Sequence, residues 1–366
     1  MALALTEMGN AATPRRPLLP VSDSDSIVAG VRAWERLRGA RVLLTGATGF
    51  IGKWLLASLL EADRRFGLDV AIVALSRDPA GFLRRVPALS DAPGLSWIGG
   101  DVRSFDIAGA RFDYVVHGAT EVINQGPPLD IFDTIVAGTR HVLDLAVASG
   151  AQDVLLLSSG AVYGRQPFDL SLMPEDHTGA PDMSQPGAAY GEGKRVGDWL
   201  GALYSGEGLT RAKSARIYAQ VGPHMPLDKQ FAIANFIGDA LAGRPIDIRS
   251  DGSTVRSYMY GVDLAVWLWT ILLEGRAGVA YNVGSEDGIA LGDLARRVNA
   301  LIGSDAGVTI RGTPVPPERI DRYVPNTGLA RKELGLDLTV GLDDAILRTA
   351  RWHGFNGTAT GMSRVR

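Results

Sequence analysis

The sequence predicts an α/β fold: a Rossmann-type doubly wound parallel sheet with a smaller carboxy-terminal α/β lobe. Three observations carry that expectation. Short apolar runs alternate with longer segments of helical periodicity from residue 41 to about residue 220. A glycine-spaced turn joins the first such run to the first helix. The chain has 366 residues, 46% of them hydrophobic, enough to bury one large core and a smaller one beside it.

Taken in order, residues 1–40 form an amino-terminal extension. Residues 1–24 carry Pro14, Pro17, Pro20 and a Ser-Asp cluster, which predicts a loosely ordered tail. Residues 25–38 place Ile27, Val31, Trp34 and Leu37 at spacings of three and four, which predicts a helix packed on the main domain. The first strand is the run Arg41 to Thr45, and an apolar helix follows over 50–66. Further strands are predicted at 70–75, 95–98, 114–117, 154–158 and 215–219, with helices at 129–149 and 188–204 between them. Strand alternating with helix requires crossover connections and so parallel strands, in residues 41–220. Residues 221–366 are assigned mainly to the smaller lobe, with some elements returning to the sheet. Helices are predicted there at 231–241, 291–302 and 342–352. Asp251-Gly252 reads as a turn joining strands 246–248 and 255–260 into a hairpin.

Composition narrows the function. No stretch of about 18 uncharged apolar residues occurs, and the richest run, 265–273, reads as a buried helix. Net charge is −3 with scattered Lys and Arg, so no basic patch points to nucleic acid. The start of the chain lacks the segment order of a signal peptide, and there are no cysteines, so a cytoplasmic protein is expected. The five histidines show no ligand spacing, so no metal site is expected, and His117 is read as a core residue at a strand end.

The turn Gly46-Ala47-Thr48-Gly49-Phe50-Ile51-Gly52 lies between the first strand and the first helix. Gly46 permits a tight turn, Gly49 admits a pyrophosphate close to the backbone, and Gly52 lets helix and strand pack closely. The helix amino end adds free N–H groups and a positive dipole. These residues, Thr48, Phe50 and Ile51 among them, are therefore candidates for binding a dinucleotide. The second strand ends in Ser76-Arg77, where an acid would bind the ribose of NAD. A hydroxyl and a guanidinium suit a 2′-phosphate, which favours NADP(H), with NAD(H) as the alternative. Asp101 and Val102 follow the third strand, where adenine would lie. Gly118, Ala119 and Thr120 follow the fourth and pass beside the cofactor.

The strand at 154–158 runs into Ser159-Gly160, and Tyr190 and Lys194 stand four residues apart on a predicted helix, sharing one face. A free phenol has a pKa near ~10 and is a poor base at neutral pH. A nearby ammonium and a nicotinamide cation favour its phenolate. With Ser159 holding the same oxygen, the three groups suit removal of a proton from an alcohol as hydride leaves its carbon, or the reverse. Gly191 and Gly193 weaken the helix between them.

From Arg41 to Trp352 these residues together resemble the extended short-chain dehydrogenase/reductases, the NAD-dependent epimerase/dehydratase family. The resemblance implies that Ser159, Tyr190 and Lys194 are the catalytic triad, and that Tyr190 and Lys194 also touch the cofactor. It implies that Arg256, in Arg256-Ser-Tyr-Met-Tyr-Gly-Val-Asp263, holds a nucleoside diphosphate; the alternative is a structural ion pair with Asp263 or another acid. It further implies a nucleotide-sugar substrate beside Ser159 and Gly160, and a homodimer through helices 129–149 and 188–204. Gly222-Pro223 and Leu334-Gly335 match further landmarks. Sugar 4,6-dehydratases of the family carry Asp-Glu directly after the catalytic hydroxyl residue; Gly160 and Ala161 stand there instead. Two frequent family asparagines are Ile135 and Ala219 here. Glu121, after the fourth strand, is a candidate acid or base near the sugar, or else a solvated loop residue. The function expected first is a 4-keto-sugar reductase with NADPH. The rival is a 4-epimerase, or another enzyme that oxidises and re-reduces its substrate on a retained NAD. A non-catalytic dinucleotide sensor of similar fold would not need Tyr190 and Lys194.

Overall fold

A computed structural model describes residues 17–107, 109–120, 126–229, 231–303 and 305–357. Its central sheet has seven parallel strands. Six are β1 (Arg41–Thr45), β2 (Ala71–Ser76), β3 (Leu95–Gly99), β4 (Tyr114–His117), β5 (Asp153–Ser159) and β6 (Arg211–Ile217); the seventh, Ala280–Val283, returns from the carboxy-terminal half to pair with β6. From one edge the order is Ala280–Val283, β6, β5, β4, β1, β2, β3. The chain builds outward from β1 to β3, then crosses back to begin again at β4. The order therefore reverses between β1 and β4, paired with Thr45 opposite His117, and ligands of such sheets bind beyond the carboxyl ends of strands at that point.

Both faces of the sheet are covered, which is why the inner strands β1, β4 and β5 carry unbroken apolar runs rather than alternating ones. In β1, Val42 and Leu44 enter one core while Leu43 enters the other. The first core includes Trp54 and Leu55 of α2 (Phe50–Phe66) and Trp267 of α7 (Gly261–Glu274), the buried helix expected over 265–273. The second includes Val142 and Leu143 of α4 (Pro128–Ser149) and Leu200 and Tyr204 of α5 (Ala188–Gly206).

Three expectations need correcting. The helix expected over 25–38 is α1, Val21–Gly30, followed by a separate 3₁₀ turn, Trp34–Leu37. Val31 is extended, and the chain bends so that the Trp34 indole donates to the Val28 carbonyl and packs on Trp269 at 5.5 Å. The apolar set Ile27, Val31, Trp34 and Leu37 is buried all the same. Residues 21–24, expected as tail, form the first turn of α1, where buried Asp23 accepts hydrogen bonds from Tyr260 and Arg348. Residues 1–16 lie outside the described residues.

Second, β6 begins at Arg211 rather than 215. Lys213 and Arg211 both pair with the buried Asp153 carboxylate of β5, so the strand carries a buried lysine by pairing, while Arg211 keeps half its side chain in solvent. Third, strands 246–248 and 255–260 form no hairpin. Ile246–Ile248 pairs with Val308–Ile310, Val255–Arg256 lies between Ile289–Ala290 and Arg322–Tyr323, and Met259–Tyr260 pairs with Gln220–Val221. Asp251-Gly252 does turn, with Gly252 at φ +75°, but Gly252 accepts from the Gly292 amide. Between residues 17 and 357 no described helix is long and apolar enough to cross a membrane.

Candidate active site

The turn after β1 has the geometry its glycines require. Gly46 adopts φ +75°, and a Cβ there would lie 2.4 Å from the Gly118 carbonyl oxygen; a Cβ on Gly52 would lie 2.2 Å from the Gly46 oxygen. Gly49 is the N-cap of α2, is exposed, and no side chain caps the helix. The amide end of α2 is thus open beside a surface that approaches closely, as a diphosphate needs. A buried hydroxyl fixes the turn from below. Thr45 Oγ1 lies 2.9 Å from His117 Nδ1 and accepts from the Gly118 and Ala119 amides at 3.1 and 3.2 Å. His117 Nε2 in turn lies 3.2 Å from Thr139 Oγ1 of α4. Burial, with Lys194 nearby, pushes the His117 pKa down to about 3, so the ring is a neutral link between β1, β4 and α4.

At the end of β2, Ser76 Oγ accepts from the Asp78 amide at 3.2 Å, and Arg77 is exposed. Arg77 lines a cavity of about 310 Å³ with Arg103, Gly126, Pro127, Asp130, Ile131 and Thr134. Asp101 binds Arg103 through its backbone amide, Nε and Nη2 at 2.9, 2.9 and 2.6 Å, and those bonds hold its carboxyl at about 2. Val102 turns its side chain into the core against Gly138, so it supports this region from beneath.

Ser159 ends β5, and its Oγ accepts from the Ala161 amide at 3.2 Å. Tyr190 stands in the first turn of α5, with its hydroxyl close enough to Ser159 for the two groups to interact. Gly191 lets that turn lie against the Ala161 carbonyl, where a Cβ would be 2.7 Å away. This close approach explains Gly191, while Gly193 lies against Ile135 of α4. One turn on, the buried Lys194 Nζ lies 5.9 Å from the centre of the Tyr190 ring and donates to the Leu157 carbonyl at 2.6 Å and Thr120 Oγ1 at 3.0 Å. Ser159, Tyr190, Lys194 and Thr120 therefore meet at the carboxyl ends of β4 and β5. The expected lowering of the phenol pKa by the ammonium is not found. Burial raises Tyr190 above its ordinary value, opposed by the Ser159 hydroxyl. Lys194, buried with Asp198 as partial compensation, falls to about 8.

Two tyrosines that sequence reasoning missed complete this wall. The Tyr323 hydroxyl lies 3.5 Å from Ser159 Oγ, and its ring stacks on Tyr218 at 4.4 Å. Gly160 is buried beneath them: a Cβ would lie 2.5 Å from Tyr218 Cζ and 2.8 Å from the Tyr323 hydroxyl. The acid that 4,6-dehydratases carry at this position has no room here. Tyr323 sits on a two-residue strand in an irregular stretch, so no periodicity announced it; only its pairing with Arg256 brings it to the site. Arg256 donates to Asp321 at 2.7 Å and places its guanidinium 5.8 Å from the Tyr323 ring centre. Asp263 is not its partner, being occupied by Thr339 and Val340. Glu121 lies outside the described residues. Among the described residues no three His, Asp or Glu side chains converge as a metal site would need.

Residues 42–284 match the model of the NAD dependent epimerase/dehydratase family. The chain is 28% identical over 308 residues to a UDP-glucuronic acid decarboxylase 3 of Arabidopsis thaliana, covering 84% of this chain and 86% of the relative. It is 26% identical over 321 residues to a UDP-glucuronic acid decarboxylase 1 of Xenopus tropicalis, covering 85% and 72%. Among solved structures, a double mutant of a dTDP-glucose 4,6-dehydratase from Streptomyces venezuelae with NAD bound superposes with a TM-score of 0.72 at 26% identity, over 86% of this chain and 97% of that one. A UDP-glucose 4-epimerase from Thermotoga maritima shares the fold, with a TM-score of 0.71 at 19% identity over 86% and 98%. The protein is an enzyme of the extended short-chain dehydrogenase/reductase class. Within that class the chain belongs to the NAD dependent epimerase/dehydratase family.

Proposed function

We propose that this enzyme reduces the 4-keto group of a nucleoside diphosphate sugar, with NADP(H) as the hydride donor. The observation that supports this reading most is the meeting of Ser159, Tyr190 and Lys194 beside the turn at 46–52. The bound nicotinamide supplies the hydride. Tyr190 donates its phenolic proton to the carbonyl oxygen, and Ser159 donates a hydrogen bond to the same oxygen. A phenol whose pKa burial has raised stays loaded with that proton at neutral pH, as an acid in the reductive direction needs. Lys194, fixed by Leu157 and Thr120, keeps its positive charge near the phenolate that forms. Arg256 is the cation for the diphosphate, and Gly160 under Tyr218 and Tyr323 leaves no acid for elimination of water. We assign residues 41–220 to cofactor binding and 221–366 mainly to the substrate. Trp199 and Leu203 on α5, with Leu129 and Val147 on α4, are large exposed apolar side chains that support a homodimer through those helices.

A second reading is favoured by the relatives: oxidation and re-reduction of the sugar on a retained NAD, the chemistry of a 4-epimerase or related enzyme. One experiment separates them. The purified protein is denatured and its released nucleotides identified by mass spectrometry, and NADPH consumption is followed with UDP- and dTDP-linked 4-keto sugars. Consumption of NADPH by protein that retains no cofactor supports the reductase. Retained NAD without NADPH consumption supports the second reading. Neither retention nor consumption overturns both.

A further inference from the structure

The cavity beyond the carboxyl ends of β2 and β3 holds a charge arrangement that the catalytic wall does not use. Ser76 of β2 and Gly99 of β3 are neighbours in the sheet, so the segments that follow them, Arg77 and Asp101–Arg103, leave the sheet side by side. Arg77 and Arg103 both line the cavity of about 310 Å³, and the first residues of α4 form its other wall. Asp101 is hydrogen-bonded to Arg103 and lies in the field of Arg77, while Asp130 and Asp133 of α4 also act on Arg103. The Arg103–Asp101 pair is about two-fifths exposed on each side, so it is weak and open to exchange for a stronger acceptor. A phosphate monoester is such an acceptor. It carries a charge of about −1.5 to −2 at neutral pH and offers three oxygens to forked guanidinium donors.

We propose that Arg103 leaves Asp101 on cofactor binding and, together with Arg77, grips the 2′-phosphate of NADP(H). Arg103 thereby becomes a determinant of cofactor choice that the strand-end position alone does not reveal. Asp130, also on the cavity wall, opposes the phosphate, so removing its charge strengthens the same interaction. This inference rests on the reading of the chain as an NADP(H) enzyme.

The test uses adenosine 2′,5′-bisphosphate and adenosine 5′-monophosphate, which differ only in the 2′-phosphate, titrated calorimetrically into the full chain and into Arg103→Ala, Arg77→Ala and Asp130→Asn. Both arginine variants should weaken the bisphosphate about tenfold or more and the monophosphate less than about twofold. Asp130→Asn should tighten the bisphosphate alone, which a merely structural loss at Arg103 does not produce. An unchanged ratio of the two affinities in Arg103→Ala, or equal losses for both probes, overturns the inference and leaves the parent reading standing. Wild-type protein that binds NADH but does not prefer the bisphosphate overturns both the clamp and the NADP(H) preference. Wild-type protein that binds neither probe nor NADH overturns the dinucleotide reading itself.

Discussion

The Lys194 ammonium lies 5.9 Å from the centre of the Tyr190 ring, yet its hydrogen bonds go to the Leu157 carbonyl and Thr120 Oγ1. It acts on the phenol as a fixed charge rather than as a hydrogen-bonding partner. Because it is buried, its own pKa falls to about 8, so that charge is lost at moderately alkaline pH.

A pH dependence follows. Below about 8 Lys194 is charged; above it the ammonium is lost, and with it the stabilisation of the Tyr190 phenolate. The kcat/KM for the sugar should fall as pH rises through about 8, and Lys194→Met should be nearly inactive with no such limb. A pH–rate profile of both proteins checks this.

Gly160 lies beneath a stacked pair of phenols, and any side chain there must displace Tyr218. Gly160→Ala should cost about 1–3 kcal/mol of stability, as overpacking does, measured by urea unfolding. Gly160→Asp should not create dehydratase activity, because the carboxylate would enter space the rings hold.

His117 is kept neutral in the folded protein, with its pKa at about 3 against an ordinary 6.5. Between those values the unfolded chain binds the proton and the folded chain does not. Stability is therefore full above 6.5 and is lost as pH falls toward 3. Urea unfolding from pH 7 to pH 4 should show a shallower decline in His117→Gln than in the wild type, beneath a lower starting stability from the broken links to Thr45 and Thr139.

Gly46 combines a left-handed backbone with contact against Gly118. Gly46→Ala should cost at least about 1–2 kcal/mol and weaken NADPH and NADH together, since the turn and not the end of β2 is disturbed. Fluorescence titration with both nucleotides checks the equality of the losses.

The sheet and the juxtaposition of Tyr190 with Lys194 are legible in the sequence because their signals are local. An apolar run of four or five residues marks a strand buried on both faces, and Tyr190 and Lys194 share a face by helix geometry alone. What failed depended on distant partners. The start of β6 is hidden by its charged residues, because Arg211 and Lys213 pair with Asp153 of β5, 58 and 60 residues away. The run at 255–260 has the pattern of half a hairpin, yet its partners are residues 289–290, 322–323 and 220–221. Tyr323 reaches Ser159 through one of those pairings, 164 residues along the chain, and no spacing within the sequence encodes that approach.

In the proposed reaction Tyr190 carries the proton that accompanies hydride transfer. Its most direct test is single-turnover NADPH oxidation by Tyr190→Phe with a nucleotide-linked 4-keto sugar, alongside the NADPH affinity of the same variant. A fall of about 10² or more in rate with affinity within about twofold of the wild type is the result predicted. A rate near that of the wild type would contradict the account.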